Sequence, residues 1–111
     1  MIFVTGPLFS GKKTYVCQAL GWSREELARR AVWDVQDLAP RAADLEELTR
    51  ELERYEVVIA AEVGGGVVPA DPEQRRAREA AGRLACLLAG RADTVVRVFC
   101  GLPQLLKGSW P

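Results

Sequence analysis

The sequence predicts an α/β fold with a small, mostly parallel sheet of about four strands and helices on both faces. Three observations carry this. Short apolar, β-branched runs alternate with helical segments along the chain. The runs at residues 2–4 and 57–61 are apolar at consecutive positions, as strands buried on both faces are. Glycine, proline and acidic residues gather where the runs end.

Ile2, Phe3 and Val4 form the first strand, which stops at Gly6. Residues 14–20 follow as a helix closed by Gly21. Ser23, with Glu26 three positions later, spells a capping box and starts a second helix through Arg30. Residues 31–35 (AVWDV) are the second strand, ending near Asp34 and Asp37, and Pro40 marks a break. Residues 44–54 form an amphipathic helix, with Leu45, Leu48, Leu52 and Tyr55 on one face. Residues 57–61 (VVIAA) are a central third strand, and residues 62–70 (EVGGGVVPA) a glycine-rich loop. Asp71 and Pro72 suit the N-cap and first turn of a helix that runs to about Ala89 and ends at Gly90. Ala77, Ala81, Leu84 and Leu88 give that helix a narrow apolar face. Residues 94–99 (TVVRVF) are the fourth strand, closed by Gly101, Leu102 and Pro103, with residues 105–111 as a tail. Trp33, Tyr55 and Phe99 are expected in the core, and Trp22 and Trp110 at an interface.

The chain's 111 residues suit a single domain over residues 1–111. It contains no histidine, which excludes a histidine base, metal ligand or covalent histidine intermediate. Fifteen basic residues balance fifteen acidic ones, so no global field draws nucleic acid or an anionic membrane. No apolar run approaches the roughly 20 residues of a membrane span. The opening MIFVTGPLFSGKK lacks a basic stretch before an apolar one, so a signal peptide is not expected. Cys17, Cys86 and Cys100 have no metal-site spacing and are odd in number. Reduced thiols in a cytoplasmic protein are the expectation.

Strands joined by right-handed helical crossovers place ligands beyond their carboxyl ends, here at Gly6, Asp34, Glu62 and Cys100. The first of these opens Gly6-Pro7-Leu8-Phe9-Ser10-Gly11-Lys12, a G-x-x-x-x-G-K phosphate-binding loop between strand and helix. Its glycines let several backbone N–H groups converge on one anion, and the following helix adds its positive end. Lys12 would reach the outer phosphates. The next position usually carries the hydroxyl that binds magnesium; here it is Lys13, with Thr14 one residue late. Asp34 is either a magnesium ligand through water or a solvated strand-end acid, with Asp37 as a backup. Glu62 would orient a nucleophile or hold metal-bound water; otherwise it is an incidental acid in a flexible connection. Arg75, Arg76, Arg78 and Arg83 read chiefly as a solvated face paired with Glu73 and Glu79.

Several segments together resemble a known family. Residues 62–69 (EVGGGVVP), the arginine-rich helix, residues 92–96 (ADTVV), and Gly101-Leu102-Pro103 with Leu106-Lys107 are similar to the C-terminal part of the bifunctional adenosylcobinamide kinase/adenosylcobinamide-phosphate guanylyltransferases of cobalamin biosynthesis. Val4-Thr5-Gly6 leading to Ser10-Gly11-Lys12 resembles that family's phosphate loop, and Asp34 matches its magnesium-site aspartate loosely. The resemblance implies a P-loop NTPase-like, RecA-like three-layer sandwich, with the Glu62 strand between the phosphate-loop strand and the Asp34 strand. It implies ATP or GTP and Mg2+ as ligands, a corrinoid substrate, and a homo-oligomer, a trimer in the family. It also marks departures. Family members are longer between the first helix and the Asp34 strand, where the guanylylated histidine resides, and this chain has none.

The expected function is therefore nucleotide binding at Gly6, Pro7, Leu8, Phe9, Ser10, Gly11, Lys12, Lys13 and Thr14. Phosphorylation of a cobinamide-like alcohol would use Lys12 on the phosphates, Asp34 on magnesium and Glu62 as base or second metal contact, with guanylyl transfer lost. The alternatives are a non-catalytic nucleotide or anion binder and a structural partner protein with a degenerate loop.

Overall fold

A computed structural model describes residues 1–63 and 71–111, so residues 64–70 of the expected glycine-rich loop lie outside the described residues. The chain runs β1 (Ile2–Gly6), α1 (Lys12–Leu20), α2 (Arg24–Arg30), β2 (Ala31–Val32), a 3-10 helix (Val35–Arg41), α3 (Leu45–Leu52), β3 (Val57–Ala61), α4 (Pro72–Arg91), β4 (Thr94–Phe99) and β5 (Leu102–Lys107). The sheet order is β2-β3-β1-β4-β5. The first four strands in that order are parallel, and β5 pairs antiparallel with β4. The Glu62 strand thus lies between the phosphate-loop strand and the Asp34 strand, as the resemblance implies.

Alternation along each strand divides the core in two. Phe3, Val58, Ala60 and Val95 pack with Val35 and Ala39 of the 3-10 helix, Leu52 of α3, and Ala81, Leu84 and Leu88 of α4. Val4, Val57, Ile59, Val96 and Val98 pack on the other face with Val16 of α1 and Leu27 of α2. This is the three-layer α/β arrangement of P-loop NTPase-like folds. Burial of a Leu such as Leu88 contributes about 1.5–3 kcal/mol, so α4 is held chiefly by its Leu84–Leu88 stripe.

Local chemistry sets the helix ends. Ser23 and Glu26 make the expected reciprocal capping box on α2. Asp44 caps α3 by accepting from the Glu46 and Glu47 N–H groups, and Asp71 caps α4 by accepting from Glu73. Gly21 takes a left-handed conformation at the end of α1. Gly90 does not end α4, which continues to Arg91 and is capped by the Ala92 N–H on Leu88.

Three expectations need correction. The second strand stops at Val32, because Asp34 adopts φ 56, ψ 34 and opens the 3-10 helix. The expected tail does not begin at Leu105: the Cys100–Gly101 turn, both residues at positive φ, folds residues 102–107 back on β4 as a fifth strand. Of the three aromatic residues expected in the core, only Trp33 packs against it. Tyr55 and Phe99 are exposed, Tyr55 beyond the end of α3 and Phe99 at the last position of β4. Trp22 lies half-buried against the α1–α2 core, with the Arg30 guanidinium 4.4 Å from its ring, whereas Trp110 is exposed.

Candidate phosphate site at the carboxyl edge of the sheet

β1 ends at Gly6, and its ladder with β3 runs one step further, where the Glu62 N–H donates to the Gly6 carbonyl at 2.8 Å. The loop between Gly6 and α1 is therefore fixed at its entry. Gly6 holds φ +149, and a Cβ there would lie 2.1 Å from the Val98 carbonyl oxygen and 2.9 Å from Ser10 Oγ. Only glycine fits where the loop presses on β4. Phe9 takes φ 58, a conformation that costs a non-glycine residue roughly 1–2 kcal/mol, and its side chain is fully exposed. Gly11, at φ 90, turns the chain into α1.

The far side of the loop leans on the β4–β5 turn. The Gly101 N–H donates to the Ser10 carbonyl at 2.8 Å, and Ser10 is buried. α1 has no side-chain cap and no acidic residue in its first turn. Its leading N–H groups lack intrahelical acceptors by geometry.

Lys12, the first residue of α1, folds back across this loop. Its Nζ donates to the Pro7 carbonyl at 2.6 Å, to Gly6 at 3.3 Å and to Ser10 Oγ at 3.5 Å. Burial lowers its pKa from the ordinary lysine value, against the opposing charges of Asp34 and Glu62; Lys13 adds to the lowering. Both predicted strand-end acids thus act electrostatically on the predicted phosphate lysine.

The neighbours of the other predicted residues are specific. Glu62 accepts a two-pronged hydrogen bond from Arg97, Nε at 2.7 Å and Nη2 at 2.9 Å. That guanidinium, and more weakly Lys12, holds the Glu62 carboxyl below its ordinary pKa. Asp34 is exposed at the start of the 3-10 helix. Lys13 points its Nζ over the Trp33 ring, 4.4 Å from the centroid. Thr14, Pro7, Leu8 and Phe9 line the outside of the loop with exposed or half-buried side chains.

Turned backbone, an uncapped helix start and a lysine meet at this loop, groups that can serve an anion with several oxygens. The donor set for magnesium is thinner. Lys13 supplies no oxygen, and the described residues contain no cluster of three acidic, cysteine or histidine side chains. Asp34 and Glu62, the two acids whose charge acts on Lys12, are the residues here that could supply one or two carboxylates to a magnesium ion. All three cysteines are free.

Two residues of this region escaped the sequence reading. Arg97 was one charge inside an apolar strand, the only signal it gave. Gln36 is buried and accepts the Ala61 N–H at 2.9 Å, tying the 3-10 helix to the end of β3. Two arginines of α4 lie elsewhere: Arg76 and Arg83 line a groove of about 1560 Å3 between α4, the 3-10 helix and the start of α3, to which no phosphate-loop residue contributes. Among the described residues no helix is long and apolar enough to cross a membrane.

No curated protein matches the chain significantly. A family profile described as Cobinamide kinase / cobinamide phosphate guanyltransferase matches residues 16–106. That stretch takes in Asp34, Glu62, Arg97 and four of the five strands, and begins just after the phosphate loop. By this match over most of its length, the chain belongs to the cobinamide kinase / cobinamide phosphate guanyltransferase family.

Proposed function

We propose that the loop at residues 6–14 binds the phosphates of ATP or GTP, and that the chain passes the terminal phosphoryl group to an alcohol on a cobinamide-like corrinoid. The observation that carries this reading is Lys12: its ammonium lies inside the loop, bonded to Gly6, Pro7 and Ser10, with Asp34 and Glu62 acting on it. Lys12 exchanges those loop acceptors for outer phosphate oxygens. The N–H groups of residues 11–14 hold the inner phosphates. Asp34 and Glu62 would hold magnesium, which would supply positive charge to offset that of the phosphates. Glu62, kept ionised by Arg97, orients the acceptor hydroxyl and receives its proton late. A loose, metaphosphate-like transition state asks little of a base, so a weakly basic carboxylate suffices. Guanylyl transfer through a histidine is lost, because the sequence has no histidine.

Nucleotide binding is read by thermal unfolding with ATP or GTP and magnesium; at about 100 times Kd the gain is roughly 2.7 kcal/mol. Phosphoryl transfer is read with cobinamide as acceptor, and Lys12→Ala should abolish both signals. No stabilisation of the wild type by either nucleotide at millimolar concentration would sink the reading.

Lys13 over Trp33 favours a second reading, a nucleotide binder without turnover or a partner protein with a degenerate loop. Binding that chelator leaves unchanged, with no phosphoryl transfer to cobinamide, supports it. Self-association in the cytoplasm, as a homo-oligomer, belongs to either reading: Leu102, Leu106 and Trp110 stand exposed on or near the open edge strand β5. Light scattering tests it, and a monomer at high concentration argues against it.

A further inference from the structure

We infer that Arg97 is a second phosphate-binding cation of this site, contacting the terminal phosphate of a bound nucleoside triphosphate with the N–H groups its fork on Glu62 leaves over. The inference rests on the nucleotide-binding reading and adds to it a residue that distinguishes triphosphate from diphosphate.

Position comes first. Arg97 on β4 is in register with Thr5 on β1, the residue before the first loop glycine. Val96 and Val98 face the α1–α2 core, and Val95 faces α4, so alternation sends Arg97 to the α4 face. Glu62 continues the alternation of Val58 and Ala60 onto that same face. The Arg97–Glu62 bond therefore crosses the top of β1, beside the point where the phosphate loop begins.

Orientation comes second. The guanidinium edge is fixed by two hydrogen bonds to Glu62. Its plane is braced by the Phe99 ring, whose centroid lies 5.3 Å from Cζ. Phe99 is the exposed aromatic residue that the core did not take. An arginine presents five N–H donors in a planar fork. The Nε and one Nη2 donor go to Glu62, so Nη1 and the second Nη2 donor suit a phosphate without loss of the pair.

Charge comes third. The Glu62 carboxylate is felt by Lys12 as well as Arg97, so the two cations flank one acid beside the loop. Lys12 alone serves the outer phosphates in the sequence motif. Arg97 supplies positive charge against the additional negative charge that a triphosphate carries beyond a diphosphate, and does so beside a loop that lacks its hydroxyl residue.

The test compares ATP and ADP binding by calorimetry in the wild type, Arg97→Met, Arg97→Lys and the double variant Glu62→Gln/Arg97→Met. Arg97→Met should weaken ATP by about tenfold to a hundredfold, the scale of a charge-assisted hydrogen bond. ADP should change by less than about twofold, and Arg97→Lys should recover part of the loss. The double variant leaves neither partner of this pair unpaired; compared in the absence of magnesium, so that loss of a Glu62 metal contact does not enter, it should stay selectively weak for ATP. ATP affinity that returns in the double variant overturns the inference, since Arg97 then acts only by masking Glu62. Equal weakening of ATP and ADP, or no change in either, overturns it too. A wild type that binds neither nucleotide defeats the nucleotide reading itself.

Discussion

The side-chain oxygen of Gln36 accepts the backbone N–H of Ala61 at 2.9 Å, with both residues buried. It joins the 3-10 helix that follows Asp34 to the last residue of β3, one position before Glu62. β2 reaches only Val32 beside β3, so this side chain satisfies a backbone donor that the short strand leaves behind. Gln36→Leu keeps the volume but orphans the Ala61 N–H, which costs about 1–3 kcal/mol. Urea unfolding should show that loss in midpoint with an unchanged slope. Nucleotide affinity should fall as well, because the bond sets the spacing of Asp34 and Glu62.

Gly6 and Gly21 both hold positive φ, yet their substitution by alanine should differ sharply. At Gly6 a Cβ would stand 2.1 Å from a backbone oxygen of β4, whereas at Gly21 nothing lies within 4 Å. Gly21→Ala meets only the left-handed backbone penalty of about 1–2 kcal/mol. Gly6→Ala adds a clash that only movement of β1 or β4 relieves, and should cost more than about 3 kcal/mol, as overpacking of a rigid core does. Thermal unfolding of the two variants checks the ordering, and Gly6→Ala should also lose nucleotide binding.

Sequence patterns showed those parts of the fold whose cause is local. The Ser23–Glu26 box, the Asp71–Pro72 helix start and the apolar β1 and β3 runs each lie within a few residues. The G-x-x-x-x-G-K loop was visible for the same reason. β5 was hidden because LPQLLK holds a proline, no β-branched residue and no alternation. It becomes a strand through the Cys100–Gly101 turn, and Pro103 is tolerable only because β5 is an edge. Arg97 was hidden because its partner Glu62 is 35 residues away and meets it only when β1 lies between β3 and β4. The arginine belongs to the site by topology, not by motif.

Two other arginine forks, from Arg91 to Glu53 and from Arg30 to Glu56, give stability a pH dependence. Each lowers its carboxylate's pKa below the ordinary value of 4.5, chiefly through the hydrogen bonds. A carboxylate depressed on folding binds fewer protons in the native than in the unfolded state. Its stabilisation is complete above the unfolded value and is lost as pH falls through the folded one. The wild type should therefore lose stability below about pH 4.5. In the double variant Glu53→Gln/Glu56→Gln that acid-side loss should shrink. Unfolding midpoints measured between pH 6 and pH 3 check this, and parallel curves for the two proteins would refute it. Both pairs are exposed, so the effect should weaken at high salt.

Lys13 is the residue at which the loop departs from its motif, and Lys13→Thr isolates that departure. The substitution removes the ammonium 4.4 Å from the Trp33 centroid, worth about 0.5–1 kcal/mol at a partly exposed site. It also removes a positive charge from the first turn of α1, which returns about 0.3–1 kcal/mol by relieving the helix dipole. The two terms nearly cancel, so unfolding should move by less than about 1 kcal/mol, and any change in function is not a folding effect. The new hydroxyl lies next to Lys12, where an outer-phosphate magnesium needs an oxygen. Cobinamide-dependent ADP formation at saturating ATP should rise, and the magnesium needed for half-maximal rate should fall about tenfold, close to 1.4 kcal/mol. Removing Lys13 charge without adding a hydroxyl, by Lys13→Ala, should not reproduce that fall. Equal magnesium dependence in the alanine and threonine variants would show that position 13 acts through charge alone.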